Sequence, residues 1–234
     1  MMNAHFLADF TFQTHKMAEE KVQNTKYLFK HAFIYAVLFL ITMCLLIRWD
    51  SAIIPYFIIV VSHFIIDRIK IWVDKNPCMK IPEFTTFCID QALHMLILIS
   101  VYLSFSLGLH TTVFYDWLQG CPYSNRIAVY FLIFTILWDP ASVCIKKLFE
   151  HIIGEPNSED KLQYGQLIGK LERIIIAVLV LCEQFGAIGF VLAAKSIARY
   201  KQLEEQPFAE KYLVGTLSSV LIAFIVTLIL KEFL

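Results

Sequence analysis

Apolar residues in this chain fall into long, nearly unbroken runs separated by short polar stretches, not into the alternating pattern of half-buried surface elements. Runs at about 31–47, 53–73, 84–107, 126–145 and 212–231 approach or exceed the roughly 20 apolar residues that carry a helix across a bilayer. Asp139-Pro140 predicts a kink or break in the fourth run. Residues 1–14 are too short and too polar to cross, but Phe6, Leu7 and Phe10 suit them to an interfacial or re-entrant helix. Residues 166–200 read either as one long span or as a hairpin turning near Glu183-Gln184-Phe185-Gly186. The hairpin keeps every basic loop on one side of the membrane, with Lys75, Lys80, Lys146, Lys147, Lys161, Lys195 and Arg199 together, so the positive-inside rule prefers it. The pattern thus predicts an all-α, polytopic helical membrane protein of about six to seven membrane segments plus a short N-terminal helix. The N-terminus is cytoplasmic and the C-terminus external. An N-terminal module, 1–110, precedes a C-terminal group of helices, 111–234.

Composition narrows this only a little. With 58% hydrophobic residues and a mean hydropathy of +0.64, the chain belongs to the membrane class. Its formal net charge of zero leaves no electrostatic footprint for nucleic acid. The six cysteines (Cys44, Cys78, Cys88, Cys121, Cys144 and Cys182) show neither CxxC nor finger spacing, so no disulfide framework or thiolate metal site is expected. The opening residues lack the basic segment of a signal peptide.

The informative chemistry is three His/Asp pairs at a spacing of four: His5/Asp9, His63/Asp67 and Asp90/His94. That spacing places each pair on one helical face, one turn apart. Ionisable groups inside apolar helices are costly and point to function. The second and third pairs lie on consecutive spans in opposite order, and antiparallel packing brings His63 to His94 and Asp67 to Asp90. Both pairs then sit roughly 9–15 Å into the cytoplasmic half. His31 starts the first span at the same side, and a folded-in N-terminal helix adds His5 and Asp9. Imidazoles and carboxylates without thiolates suit a divalent ion such as Zn, Mn or Fe. The aspartates one turn from the histidines disfavour a haem. Gln13 and Gln91 are placed to orient ligands, and Asp67 and Asp90 to handle protons in catalysis. The opposing reading is a set of local hydrogen bonds gluing membrane helices together, with Asp67 paired to Arg68 or Lys70. His15/Glu19 and His151/Glu155 have the same spacing but lie in polar segments, where solvated pairs are expected. Further along, Glu172 with Lys195 reads as an interhelical ion pair, or Arg173, Lys195 and Arg199 as a phosphate cradle for a lipid headgroup.

The motifs His5-x-Leu-Ala-Asp-Phe-x-x-Gln13, Ser62-His63-x-x-x-Asp67-x-x-Lys70 and Asp90-Gln91-x-x-His94 resemble a bacterial membrane family known as domain of unknown function 3307, over roughly the first 110 residues. The later Leu171-Glu172-Arg173, Ala187–Phe190 and Ala194–Arg199 stretches look like the C-terminal part of its longer members, in which a turn near 183–186 is expected. The resemblance implies a bacterial inner membrane and supplies no activity. The residues leave three functions open: a metal-dependent hydrolase acting on a lipid-linked or membrane-delivered substrate, a proton- or ion-coupled transporter or channel, and a non-catalytic partner subunit.

Overall fold

The computed structural model describes residues 1–76, 81–153 and 163–234; Cys78, Lys80, Glu155 and Lys161 lie outside the described residues, as does the side chain of His15. Among the described residues the chain is helical, without strands, and forms two compact units, Met1–Asn125 and Arg126–Leu234.

The first unit begins with helix α1 (Met2–Phe6), which continues into a π turn over Leu7–Thr11, closed by Phe12 N–H on the Leu7 carbonyl at 2.8 Å. Its inward face is Ala4, His5, Ala8 and Asp9. The two alanines let the backbone approach the helix that begins at Thr25 closely, so the short polar segment lies folded against the bundle. Helix α2 (His15–Gln23) is capped by Thr14, whose hydroxyl accepts from Met17 N–H at 3.3 Å, and it is anchored by the buried Met17.

Helices α3 (Thr25–Leu46), α4 (Trp49–Lys75) and α5 (Glu83–Ser104) form the body of the unit. Each turns one stripe inward at helical spacing: Leu28, His31, Tyr35, Phe39 and Met43 on α3; Ile59, His63, Asp67 and Ile71 on α4; Asp90, His94, Leu98 and Val101 on α5. The outward faces are also apolar, with Phe29, Phe33, Ile54, Phe57, Leu96 and Leu103 exposed. A helix apolar all round, with its polar groups turned inward, is built for lipid and not for water.

The unit runs on to Asn125, because the segment after α5 is stitched to the end of α3. Arg48 N–H donates to the His110 carbonyl at 2.8 Å, Thr112 N–H donates to the Leu46 carbonyl at 3.1 Å, and Thr111 pairs with Ile47. Helix α6 (Val113–Gln119) follows, capped by Thr112. In this segment Gly108 lies against the Tyr102 hydroxyl, which a β-carbon there would meet at 2.7 Å.

The second unit is built from α7 (Ser124–Trp138), α8 (Pro140–Ile153), α9 (Gln163–Leu181), α10 (Phe185–Ala198) and α11 (Gln206–Lys231). The break between α7 and α8 falls at Asp139-Pro140, as the proline predicts. Helices α9 and α10 form the hairpin, turning through Glu183 at φ 60°. Ile133, Leu137, Ile176, Ala177, Val180 and Ala223 make the core, with small side chains letting α9 and α11 pack closely.

Among the described residues, five helical stretches are long and apolar enough to cross a membrane: α3, α4, α5, α7 with α8, and α11. The hairpin arms, expected as two further segments, fall short of that class. Helix α9 carries Lys170, Glu172 and Arg173 in its first half, and α10 has only 14 residues.

Candidate metal centre

Four elements of the first unit bring their ionisable side chains to one place. Asp9 arrives from the π turn, His31 from α3, His63 and Asp67 from α4, and Asp90 and His94 from α5. His5, one turn before Asp9, completes the set, and all seven side chains are buried.

Among the described residues the largest grouping is Asp9, His31, His63 and Asp67. The two Nε2 atoms of His31 and His63 stand 3.1 Å apart. His31 Nε2 is 3.2 Å from Asp9 Oδ1 and 3.4 Å from Asp67 Oδ2; His63 Nε2 is 4.0 Å and 3.9 Å from the same oxygens. A tetrahedral ion with bonds of about 2.1 Å separates its ligands by about 3.4 Å. Five of the six edges measure 3.1–4.0 Å and bracket that value, and all four atoms lie within 4.8 Å of one another, so the donor set fits a small divalent ion.

The surroundings hold these groups in place. Tyr35 lies flat on the His63 ring, with centroids 3.5 Å apart and planes 7° from parallel, and its hydroxyl is 3.1 Å from His5 Nδ1. The Gln91 amide nitrogen donates to Asp9 Oδ2 at 2.9 Å and to Asp90 Oδ2 at 3.1 Å, while its oxygen faces His5 Nε2 at 3.3 Å. With its amide nitrogen turned to the Asp9 carbonyl (2.8 Å), Gln13 accepts from Lys21 Nζ at 3.2 Å. Two lysines flank the centre: Lys21 Nζ is 3.3 Å from Asp67 Oδ2, and Lys70 Nζ is 2.7 Å from Asp90 Oδ2.

Electrostatics follow from burial and these contacts. Burial lowers the His5 pKa from its ordinary value despite the opposing field of Asp9. For Asp9, burial pushes upward, but the His31 hydrogen bond and the fields of His63, His5 and Lys21 outweigh it, holding the carboxyl well below the usual range.

The sequence pairs therefore converge, with His63 beside His94 (ring centroids 4.5 Å) and ligand atoms of Asp67, Asp90 and His94 within 4.8 Å of one another. One local expectation is replaced. Lys70 pairs across helices with Asp90, and the partner of Asp67 is Lys21 from α2. Lys21 and Tyr35 were not singled out from sequence. Tyr35, four residues after His31 on the same face, carried a usable signal; Lys21, in a polar segment, carried none.

In the second unit, Glu172 and Lys195 form the expected ion pair, and Lys195 also donates to the Thr216 hydroxyl at 3.0 Å. Arg173 is buried and donates to the carbonyls of Leu137 at 2.8 Å and Trp138 at 3.4 Å, and also to Ser142 and Ser219. These partners come from either side of the α7–α8 break, so the guanidinium spans it. Arg199 closes α10 and takes no part in this network.

The model of a family described as Protein of unknown function (DUF3307) matches residues 1–118, which include all seven histidines and aspartates of the centre. No curated protein and no solved structure matches the chain.

Proposed function

We propose that this chain, a member of the DUF3307 family of proteins of unknown function, is an inner-membrane protein that binds a divalent metal ion and uses it for hydrolysis of a membrane-delivered substrate. The observation that carries this reading is the convergence of Asp9 Oδ1, His31 Nε2, His63 Nε2 and Asp67 Oδ2 at the spacing of a tetrahedral donor set. Mixed imidazole and carboxylate donors without cysteine are typical of hydrolytic sites, whereas structural sites favour thiolates. Zn, Mn and Fe are the ions such donors accept. When bound, the ion supplies Lewis acidity and lowers the pKa of a water toward neutrality.

The protein's own groups do the rest. Gln91 and Lys21 fix the Asp9 and Asp67 carboxylates, Tyr35 fixes the His63 ring, and the apolar walls of α3–α5 exclude bulk water. The positive-inside pattern supports a cytoplasmic N-terminus, with the centre in the cytoplasmic half of the membrane and within reach of lipid-linked esters.

Metal analysis of detergent-purified protein, followed by a screen of ester, phosphoester and amide substrates, tests this reading. Metal together with metal-dependent turnover is the expected result; a metal-free protein after reconstitution overturns it.

One contact favours a second reading. Lys21 sits on the same Asp67 oxygen that faces His31, and the His31–His63 pair at 3.1 Å can share one proton. Such a chain suits a proton relay. Proton flux through metal-free vesicles, lost on His31→Ala, is its signature.

A further inference from the structure

The four-atom donor set leaves two buried groups unused. His94 is 3% exposed, and neither of its ring nitrogens has a hydrogen-bond partner. Asp90 Oδ1 is likewise buried without one, although Lys70 and Gln91 satisfy the other oxygen. A buried polar atom without a partner is destabilising, and here three such atoms belong to neighbouring side chains. His94 Nδ1 and Asp90 Oδ1 are 3.7 Å apart, close to the separation of two ligands on one ion. Asp67 completes a group with them in which all ligand atoms lie within 4.8 Å of one another, and it also belongs to the first donor set.

We propose that Asp90 and His94 form a second cation position, joined to the first through the Asp67 carboxylate, so that the centre is dinuclear. This rests on the first position being a metal site. A carboxylate shared between two donor sets is how hydrolytic centres hold two ions about 3.5–4 Å apart, clamping both the attacking and the leaving oxygen. Charge sets the order of filling. Three aspartates against Lys21 and Lys70 leave one negative charge when the imidazoles are neutral. The first divalent ion reverses that sign, so the second enters against repulsion and binds more weakly.

Titration of the full-length, detergent-purified protein with Mn²⁺, followed by electron paramagnetic resonance, tests this. The expected result is two ions per chain in two steps, with spin coupling between them in the doubly loaded protein. His94→Phe keeps an aromatic ring at this position and removes the unpartnered nitrogens, so it is expected to stay folded and to bind one uncoupled ion. One ion in the wild type, two uncoupled ions, or two ions in His94→Phe each overturn the second position while the first stands. Binding of no ion at all overturns both.

Discussion

The imidazoles of the centre are not all held alike. His5 is engaged at both nitrogens by Tyr35 and Gln91, and His31 and His63 face each other and two carboxylates. Gln91 is the most connected neutral residue here, reaching Asp9, Asp90 and His5 at once. Replacing it with Leu removes the donors that aim Asp9 while leaving the ligands themselves intact. Gln91→Leu is expected to weaken metal binding by about 10–100-fold, the usual effect of losing a group that orients a ligand. Competition against a chelating indicator measures it; unchanged affinity would mean that Gln91 does not orient the centre. The His/Asp pairs were legible in the sequence because a four-residue spacing has one meaning on a helix. Lys21 was not, because its approach depends on how α2 folds back after the π turn, and no local pattern encodes that.

At the scale of elements, the two units solve different problems. In the first, a segment too short to cross the membrane is docked by small residues, and its π turn brings Asp9 inward. The sequence announced that the segment would not span, and its His/Asp pair announced where it would go. In the second, Asp139-Pro140 interrupts a span, and Arg173 from α9 braces the freed carbonyls of Leu137 and Trp138. The proline was readable as a break, but the brace was not, because it joins residues 36 positions apart. Arg173→Ala takes the guanidinium from the Leu137 carbonyl and from Ser142, and leaves the Trp138 carbonyl only the Ser142 hydroxyl as donor; it is expected to destabilise the protein by about 1–3 kcal/mol. The loss should appear as a lower thermal midpoint and aggregated material on gel filtration. A fully stable Arg173→Ala protein that has lost activity would instead support the phosphate cradle with Lys195 and Arg199. The hairpin turn was legible from charge placement, since a single span would have carried Lys195 and Arg199 to the wrong side.

At the scale of the molecule, apolar outward faces and inward-facing charge define a membrane protein, and among the described residues five helical stretches are long and apolar enough to cross. Orientation rests on the basic loops. The 105–124 segment, free of Lys and Arg, is expected outside, so the exposed Cys121 should react with a membrane-impermeant maleimide in intact cells. Labelling only after permeabilisation would invert the topology. The count of spans was less legible than the class, because α9 is apolar at one end and charged at the other.

Everything proposed for the N-terminal unit depends on whether Asp9, His31, His63 and Asp67 hold a metal. Elemental analysis of the purified wild type beside a His31→Ala/His63→Ala variant tests it most directly. At least one Zn, Mn or Fe per chain is expected in the wild type and none at this position in the folded variant. A wild type that remains metal-free after reconstitution, or a variant that keeps the full complement, would contradict it.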